Sequence, residues 1–371
     1  MFSVIKRTAL GVAGSSTTAT VASLALVLLM GAAPASASIV VDPNAIPCVS
    51  ATLHYTTIQA AVSAAPSGSI ISVCPATYAE KVTITTPLTL KGVTNTSGNT
   101  GAAVITIPNG TFTGGFTQVL IQAANVTLSN IGVDGSNSVS GCSSGAVTGV
   151  LFDTGSSGTL KQVALRNHNV INGSGGYCGA SIAVYATSAA SATVSDSSVR
   201  NYDGAGIELT ATTSVTVNTT TGRPIAAGPN CIYANAPTVD VATNTVVNCA
   251  YGVYVTSTVK GTVSGNTVIG TGTVDSGNGV FCFPTCTALT ISGNTVFDTF
   301  NGMSMKTSGG VGGVVFQNND ISGTVNGIYL FLQPGNTVSN NTITDATVGV
   351  NGASGNTLSG NAYRAVTTLT Q

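Results

Sequence analysis

Charge is what this sequence has least of. Only 6% of its 371 residues are charged, against roughly 25% in an ordinary soluble domain. Ion pairs cannot cover such a surface, so Ser, Thr, Asn and Gly must solvate it. There is no Trp, His occurs only twice, and the formal net charge is −1. A chain this close to neutrality has no basic face for nucleic acid, which excludes that class of partner. No stretch in the body of the chain approaches 18 consecutive apolar residues, so no membrane span is expected. The carboxylates are spread along the chain and offer no hard-oxygen cage, which implies no metal. The 45 glycines contain no phosphate-loop pattern, and no cofactor is implied. What the chain does have is 43% apolar residues, enough to bury a core and to exclude a disordered tail.

The first 37 residues have the build of an export signal. Lys6 and Arg7 form a short basic region, Val21–Met30 is apolar, and Ala35-Ser36-Ala37 fits the small-x-small cleavage pattern. Ten apolar residues cannot cross about 30 Å of hydrocarbon, so the segment reads as a leader rather than an anchor. A mature domain from 38 to 371, secreted to the extracellular side, is the expectation.

One four-residue pattern recurs through that domain: small, aliphatic, variable, aliphatic. It reads Gly149-Val-Leu-Phe152, Ser181-Ile-Ala-Val184, Gly206-Ile-Glu-Leu209, Cys231-Ile-Tyr-Ala234, Gly252-Val-Tyr-Val255, Gly279-Val-Phe-Cys282, Gly302-Met-Ser-Met305 and Gly327-Ile-Tyr-Leu330, with a degraded copy at Gly349. Between the copies, Asn precedes a small and an aliphatic residue at Asn244, Asn266, Asn294, Asn319 and Asn341. Gly and Asn tolerate left-handed backbone angles, so each of these asparagines predicts a tight turn. A unit of about 22–25 residues with three short alternating strands and three turns is one coil of a parallel β-solenoid. Strand alternation turns the second and fourth pattern positions inward. The third points out, with Tyr233, Tyr254, Phe281 and Tyr329 in one row. Stacking at about 4.8 Å explains the missing charge, because like charges in a column repel while Thr, Asn and aliphatic ladders reinforce. Thr57, Ile58, Ala61, Val62 and Ala65 have helical spacing, and a short helix within about 55–66 would cap the open end.

Residues 56–92 carry a recognisable run: Thr-Thr-Ile-Gln-Ala-Ala-Val-Ser-Ala-Ala-Pro, then Ala-Thr-Tyr-Ala-Glu-Lys-Val, then Leu-Thr-Leu-Lys-Gly. It resembles the opening of the pectin-lyase-like superfamily, and the Asn-Thr-Val and Gly-Val-Tyr-Val copies resemble that superfamily's generic repeats. The resemblance implies an all-β, right-handed, single-stranded parallel β-helix, here of about twelve coils. It is weak for activity, because this fold carries several chemistries. The motifs of its pectin enzymes are not met. Gly272-Thr-Val-Asp275 and Gly222-Arg-Pro224 lack the aromatic continuations of a pectin methylesterase and stand in inverted order. There is no Asp-Asp pair or Gly-His-Gly of a polygalacturonase.

One local departure from neutrality stands out. Aligning the turns before the repeat sets Leu165-Arg166-Asn167-His168-Asn169 against Val199-Arg200-Asn201-Tyr202-Asp203. Arg166 and Arg200 would then stack one coil apart with His168 beside Tyr202, and Asp203 and Glu208 would follow within a strand length. Stacked arginines are unfavourable unless an anion lies between them, and Arg suits bidentate carboxylate capture. The functional reading is a uronate groove in which Arg166, Arg200, Tyr233 and Tyr254 bind. Arg200, Asp203, Glu208 and His168 are its weak catalytic candidates, with Glu208 or His168 available for proton transfer. The competing reading pairs Arg200 with Asp203 or Asp196 on a solvated turn and leaves His168 on the surface.

Eight cysteines outside the cytosol suggest disulfides. Their positions pair Cys142 with Cys178, Cys231 with Cys249, and Cys48 with Cys74. Cys282 faces inward and either joins Cys286 or stays a buried thiol. The expected function is a secreted monomer that binds polysaccharide or a cell-surface glycan, an acidic one by preference. Catalysis is unassigned and turnover disfavoured. A polysaccharide lyase or glycoside hydrolase of the superfamily is the first alternative, and a purely structural surface protein the second.

Overall fold

A computed structural model describes residues 38–371 apart from 45–47, 94–101, 109–114, 137–146, 171–180, 188–189, 211–213, 219, 224–229, 259, 271–276, 285, 307–311 and 332. The leader-like segment 1–37 therefore lies outside the described residues. Among the described residues every strand pairing is parallel, in one sheet of 14 strands and one of 22. This is the parallel β-solenoid that the repeat predicts, with the right hand that the family resemblance implies.

One coil shows how the sequence builds it. The long strand Tyr251–Thr256 is followed by Lys260–Ser264 and Thr267–Ile269, and then by the long strand of the next coil, Asn278–Cys282. Lys260–Ser264 belongs to the 14-stranded sheet, and the other two columns make up the larger one. Val253, Val255, Val263 and Val268 point inward with no exposed surface, so each strand adds its alternate aliphatics to one continuous core. The small first position of the repeat is a close approach, not a turn. A Cβ on Gly252 or Gly279 would collide with Val268 or Val296 of the inward short strand.

The asparagines of the second pattern are placed differently from the expectation. The left-handed angle falls on the residue before them: Gly265 at φ +62°, Gly293 at +63°, Asn318 and Asn340 at +55°. Asn266, Asn294, Asn319 and Asn341 themselves are buried and hydrogen-bond to one another. Asn266 Nδ2 donates to Asn294 Oδ1 at 2.9 Å, Asn294 Nδ2 to Asn319 Oδ1 at 3.0 Å, and Asn319 Nδ2 to Asn341 Oδ1 at 2.8 Å. A buried amide must be satisfied, and stacking one per coil satisfies each from its neighbours.

One repeat copy is also out of register. Val184, Tyr185 and Ala186 lie beside Ile207, Glu208 and Leu209, so the copy is Ala183-Val-Tyr-Ala186 rather than Ser181-Ile-Ala-Val184. The outward residue is Tyr185, and Ala183 is fully buried.

At the N-terminal end the helix runs Ile58–Ala64, with Thr57 as its N-cap. The Glu80 carboxylate accepts the N–H groups of Ile58 and Gln59, both at 2.8 Å. A negative group on the free N–H groups of a helix start is favourable, which anchors the helix to the first coils. Ile58, Ala61 and Val62 are its buried face. The strands Ile39–Val41 and Leu53–Tyr55 add two rungs before Ser69–Val73.

Candidate functional site

The outward column of the long strands is continuous in register: Leu151, Tyr185, Glu208, Tyr233, Tyr254, Phe281, Ser304, Tyr329, Asn351. Its rings touch. Tyr233 and Tyr254 meet edge to face with centroids 5.1 Å apart, and Tyr254 lies 5.0 Å from Phe281. Tyr251 and Phe283 widen the cluster, at 5.4 and 5.9 Å from Phe281. Such contacts stabilise the stack, and Tyr233, Tyr254 and Phe281 each stay partly exposed. Burial pushes the Glu208 carboxyl up from its ordinary value. Burial also raises the Tyr233 hydroxyl, and the Glu208 charge adds to that.

Ser304 interrupts the column. Around it lies a cavity of about 190 Å³ lined by Phe281, Ser304, Lys306, Tyr329 and Phe331 among others. The Lys306 ammonium sits 4.6 Å above the Phe331 ring and 5.9 Å from that of Phe283, a cation–π arrangement. The floor is a second amide ladder. Asn301 Nδ2 and the Ser304 hydroxyl both donate to Asn278 Oδ1, at 2.9 and 2.6 Å, and Asn326 Nδ2 donates to Asn301 Oδ1 at 2.8 Å.

A second column runs on the neighbouring short strands: Thr106, Asp134, Arg166, Arg200, Arg223. Arg166 and Arg200 are adjacent, as the alignment of their turns predicts, and Arg223 extends the row by one coil. Arg166 is committed to the coil before it, with Nε 2.6 Å from Asp134 Oδ2. Asp134 is buried and also accepts from Asn167 Nδ2 at 2.8 Å and from the Ser136 hydroxyl. Burial alone would raise its carboxyl. Hydrogen bonds from Ser136, Asn167 and Arg166 outweigh that and hold it below the ordinary value. Arg200 is exposed and forms no ion pair with a described residue.

The remaining candidates leave the surface. Asp203 is buried, and its two oxygens accept the N–H groups of Val170 and Ser181 at 3.0 Å each. It ties the two ends of the 171–180 segment to the coil below and is not the partner of Arg200. His168 has no exposed surface, and its Nε2 lies 3.2 Å from Gln118 Oε1. Burial lowers its pKa to about 4, against the opposing charge of Asp134. The surface position that the competing reading gives His168 is corrected by this burial. Tyr202 occupies the same place one coil on and donates to Cys231 Sγ at 2.9 Å. The structure thus brings Arg166 and Arg200 together in one row and Glu208, Tyr233 and Tyr254 in another, and takes His168 and Asp203 inside. Sequence reading missed Asp134, Tyr185, Arg223 and Lys306. Extending the arginine alignment by one coil in each direction reaches Gly132-Val-Asp134 and Thr221-Gly-Arg223.

Cys48 joins Cys74, Cys231 joins Cys249, and Cys282 joins Cys286, with Cα–Cα separations of 5.6, 5.7 and 6.2 Å. Cys142 and Cys178 lie outside the described residues. Among the described residues no three His, Cys, Asp or Glu side chains converge on a point, and no helix is long and apolar enough to cross a membrane.

A family model described as "Right handed beta helix region" matches residues 148–311. One described as "Periplasmic copper-binding protein (NosD)" matches 265–368. Among solved structures, the A-module of a mannuronan C-5 epimerase of Azotobacter vinelandii superposes with a TM-score of 0.57 at 14% identity, over 85% of this chain and 92% of that one. A lacto-N-biosidase from Eubacterium ramulus superposes with a TM-score of 0.50 at 10% identity, over 89% and 64%. No curated protein matches. The chain folds as a right-handed parallel β-helix. The copper description does not fit its residues. The segment 265–368 holds no His, its Cys282 and Cys286 are joined to each other, and Met303 and Met305 are fully buried, so the soft donors copper selects are not offered.

Proposed function

We propose that this protein binds an acidic polysaccharide outside the cytosol, along the outward aromatic column and the arginine row beside it, as a non-catalytic monomer. The observation that carries the reading is the register of Arg166, Arg200 and Arg223 on three successive coils, in a chain with 11 Lys and Arg in all. Like charges about 4.8 Å apart destabilise a sheet. Asp134 offsets the first of them, and Arg200, exposed and without an ion pair among the described residues, is open to an anionic polymer running along the solenoid. Aromatic faces on the next column suit the flat faces of sugar rings. The disulfides suit an oxidising compartment, and the periplasmic description of one family model agrees with it. That two fold relatives are by name a mannuronan epimerase and a lacto-N-biosidase agrees with a saccharide ligand.

The enzymatic alternative rests on Glu208, whose carboxyl is raised above its ordinary value by burial. Glycoside hydrolysis ordinarily takes two carboxylates, and no second acidic residue shares its column from Leu151 to Asn351. The test is binding of polygalacturonate and alginate, with neutral glucan as control, to the wild type and to Arg200→Ala/Arg223→Ala. Affinity for the polyuronates should fall at least tenfold with a urea midpoint that does not fall. Unaltered binding rejects the reading, and steady release of new reducing or unsaturated ends replaces it with the enzyme. Protonation of Glu208 removes a negative charge from the face. Binding should therefore tighten as the pH falls toward its raised pKa, and Glu208→Gln should bind tightly throughout.

A further inference from the structure

The break in the aromatic column at Ser304 has dimensions and chemistry of its own. On the N-terminal side, rings follow one another at about one strand spacing, as in the 5.0 Å between Tyr254 and Phe281, and beyond the break the column resumes with Tyr329. Phe281 and Tyr329 stand two rungs apart with Ser304 between them, roughly 10 Å along the solenoid. That leaves one ring's place empty. The cavity there measures about 190 Å³. An apolar cavity of about 150 Å³ holds benzene, so the space admits a single six-membered ring and little more.

The lining says which kind of ring. Phe281, Tyr329 and Phe331 offer aromatic walls, and Lys306 is the one charge among the lining residues. Its ammonium rests over Phe331 and Phe283 and pairs with no described acidic side chain. The polar groups of the floor are already engaged: Ser304 and Asn301 both donate to Asn278, and Asn326 donates to Asn301. A pyranose would bring several hydroxyl groups to a floor whose amides and hydroxyl are already bonded to one another, and each hydroxyl left unpaired on desolvation costs affinity. A planar arene asks nothing of the floor and stacks on the walls. A carboxylate on its rim would meet Lys306.

We infer that this notch binds one aromatic ring bearing a carboxylate, with the ring taking the rung that Ser304 leaves vacant between Phe281 and Tyr329 and the carboxylate facing Lys306. The site is separate from the arginine row and does not depend on the polysaccharide reading. Calorimetric titration of the whole protein with benzoate, benzamide and galacturonate tests it. Benzoate should bind, benzamide at least tenfold more weakly, and monomeric galacturonate more weakly still. Ser304→Phe fills the vacancy and should abolish benzoate binding without lowering the urea midpoint. Lys306→Met should reduce benzoate to the level of benzamide. No benzoate binding by the wild type overturns the inference, as does benzoate affinity unchanged in Ser304→Phe. Galacturonate bound as tightly as benzoate and lost in Ser304→Phe also overturns it and makes the notch a sugar subsite. Polyuronate binding by Arg200→Ala/Arg223→Ala is read separately, so the two readings fail independently.

Discussion

The corner before each short strand is built in two ways along the same solenoid. In the C-terminal half it is occupied by Asn244, Asn266, Asn294, Asn319, Asn341 and Asn361, each hydrogen-bonded to the next. In the earlier half the same place is held by Ile131 and Val163, both buried. Their carbonyls accept from Ala164 and Ser198, as the carbonyl of Asn244 accepts from Thr267. Between the two halves Ser197 Oγ accepts the Val163 N–H at 3.1 Å, and the Thr220 N–H is taken by Asn244 Oδ1 at 2.8 Å. A buried amide is tolerable only where its neighbours continue it, so the corner is all amide or all apolar, with hydroxyl groups at the seam. The polar irregularities lie in the apolar-cornered half and at the seam: Gln118 with His168, Asp134 with Arg166, Asp203, and the arginine row.

The contrast is tested most severely by Asn294→Leu. Asn294 Oδ1 takes the backbone N–H and the Nδ2 of Asn266, and Asn294 Nδ2 donates to Val263 O and Asn319 Oδ1. The substitution leaves two buried donors without acceptors and should cost about 4 kcal/mol, read as a lowered urea midpoint. Acid should act next, and on the other half. The pKa of His168 is about 6.5 unfolded and about 4 folded. Its contribution is complete above pH 6.5 and is lost as the pH falls through the window to 4, because only the unfolded chain takes the proton there. The loss reaches about 3 kcal/mol, and His168→Gln should flatten the stability profile across that window. The depressed carboxyl of Asp134 acts lower, as the pH falls below its ordinary value of 3.8, so the two are separable. Val163→Asn places one amide in the apolar half with Ser197 as its only continuation, and should cost about 2 kcal/mol. Asn361→Ala removes the half-buried last rung and should cost about 1 kcal/mol. A cost equal to that of Asn294→Leu would show that the ladder is not cooperative.

Much of this was readable before any coordinates. The inward columns follow from alternation, and the arginine neighbours follow from aligning two turns. The slip at Ala183-Val-Tyr-Ala186 was not readable, because Ser181-Ile-Ala-Val184 fits the same pattern. Val184 points inward in either register, and a shift of two residues disturbs alternation far less than a shift of one. The asparagine ladder has the sequence signature of turns, because Asn favours both a left-handed angle and a buried amide stack, and only the position of the preceding Gly265 or Gly293 distinguishes them. His168 and Asp203 carry polar letters in a polar turn. Nothing local says that Gln118, fifty residues earlier, closes over the first, or that the second accepts the N–H groups of Val170 and Ser181.

The period of the repeat, the facing of its aliphatics and the scarcity of charge follow from the sequence alone, because a stacked coil imposes the same demand at the same position every turn. Which polar side chains are exposed is a tertiary matter. Exposure depends on what lies one coil above and below, and the excursions between strands vary in length, so the distance in sequence to that neighbour varies with them. That is why Arg200 is exposed, Glu208 half-buried and His168 fully buried, and a single serine opens a cavity between two rings.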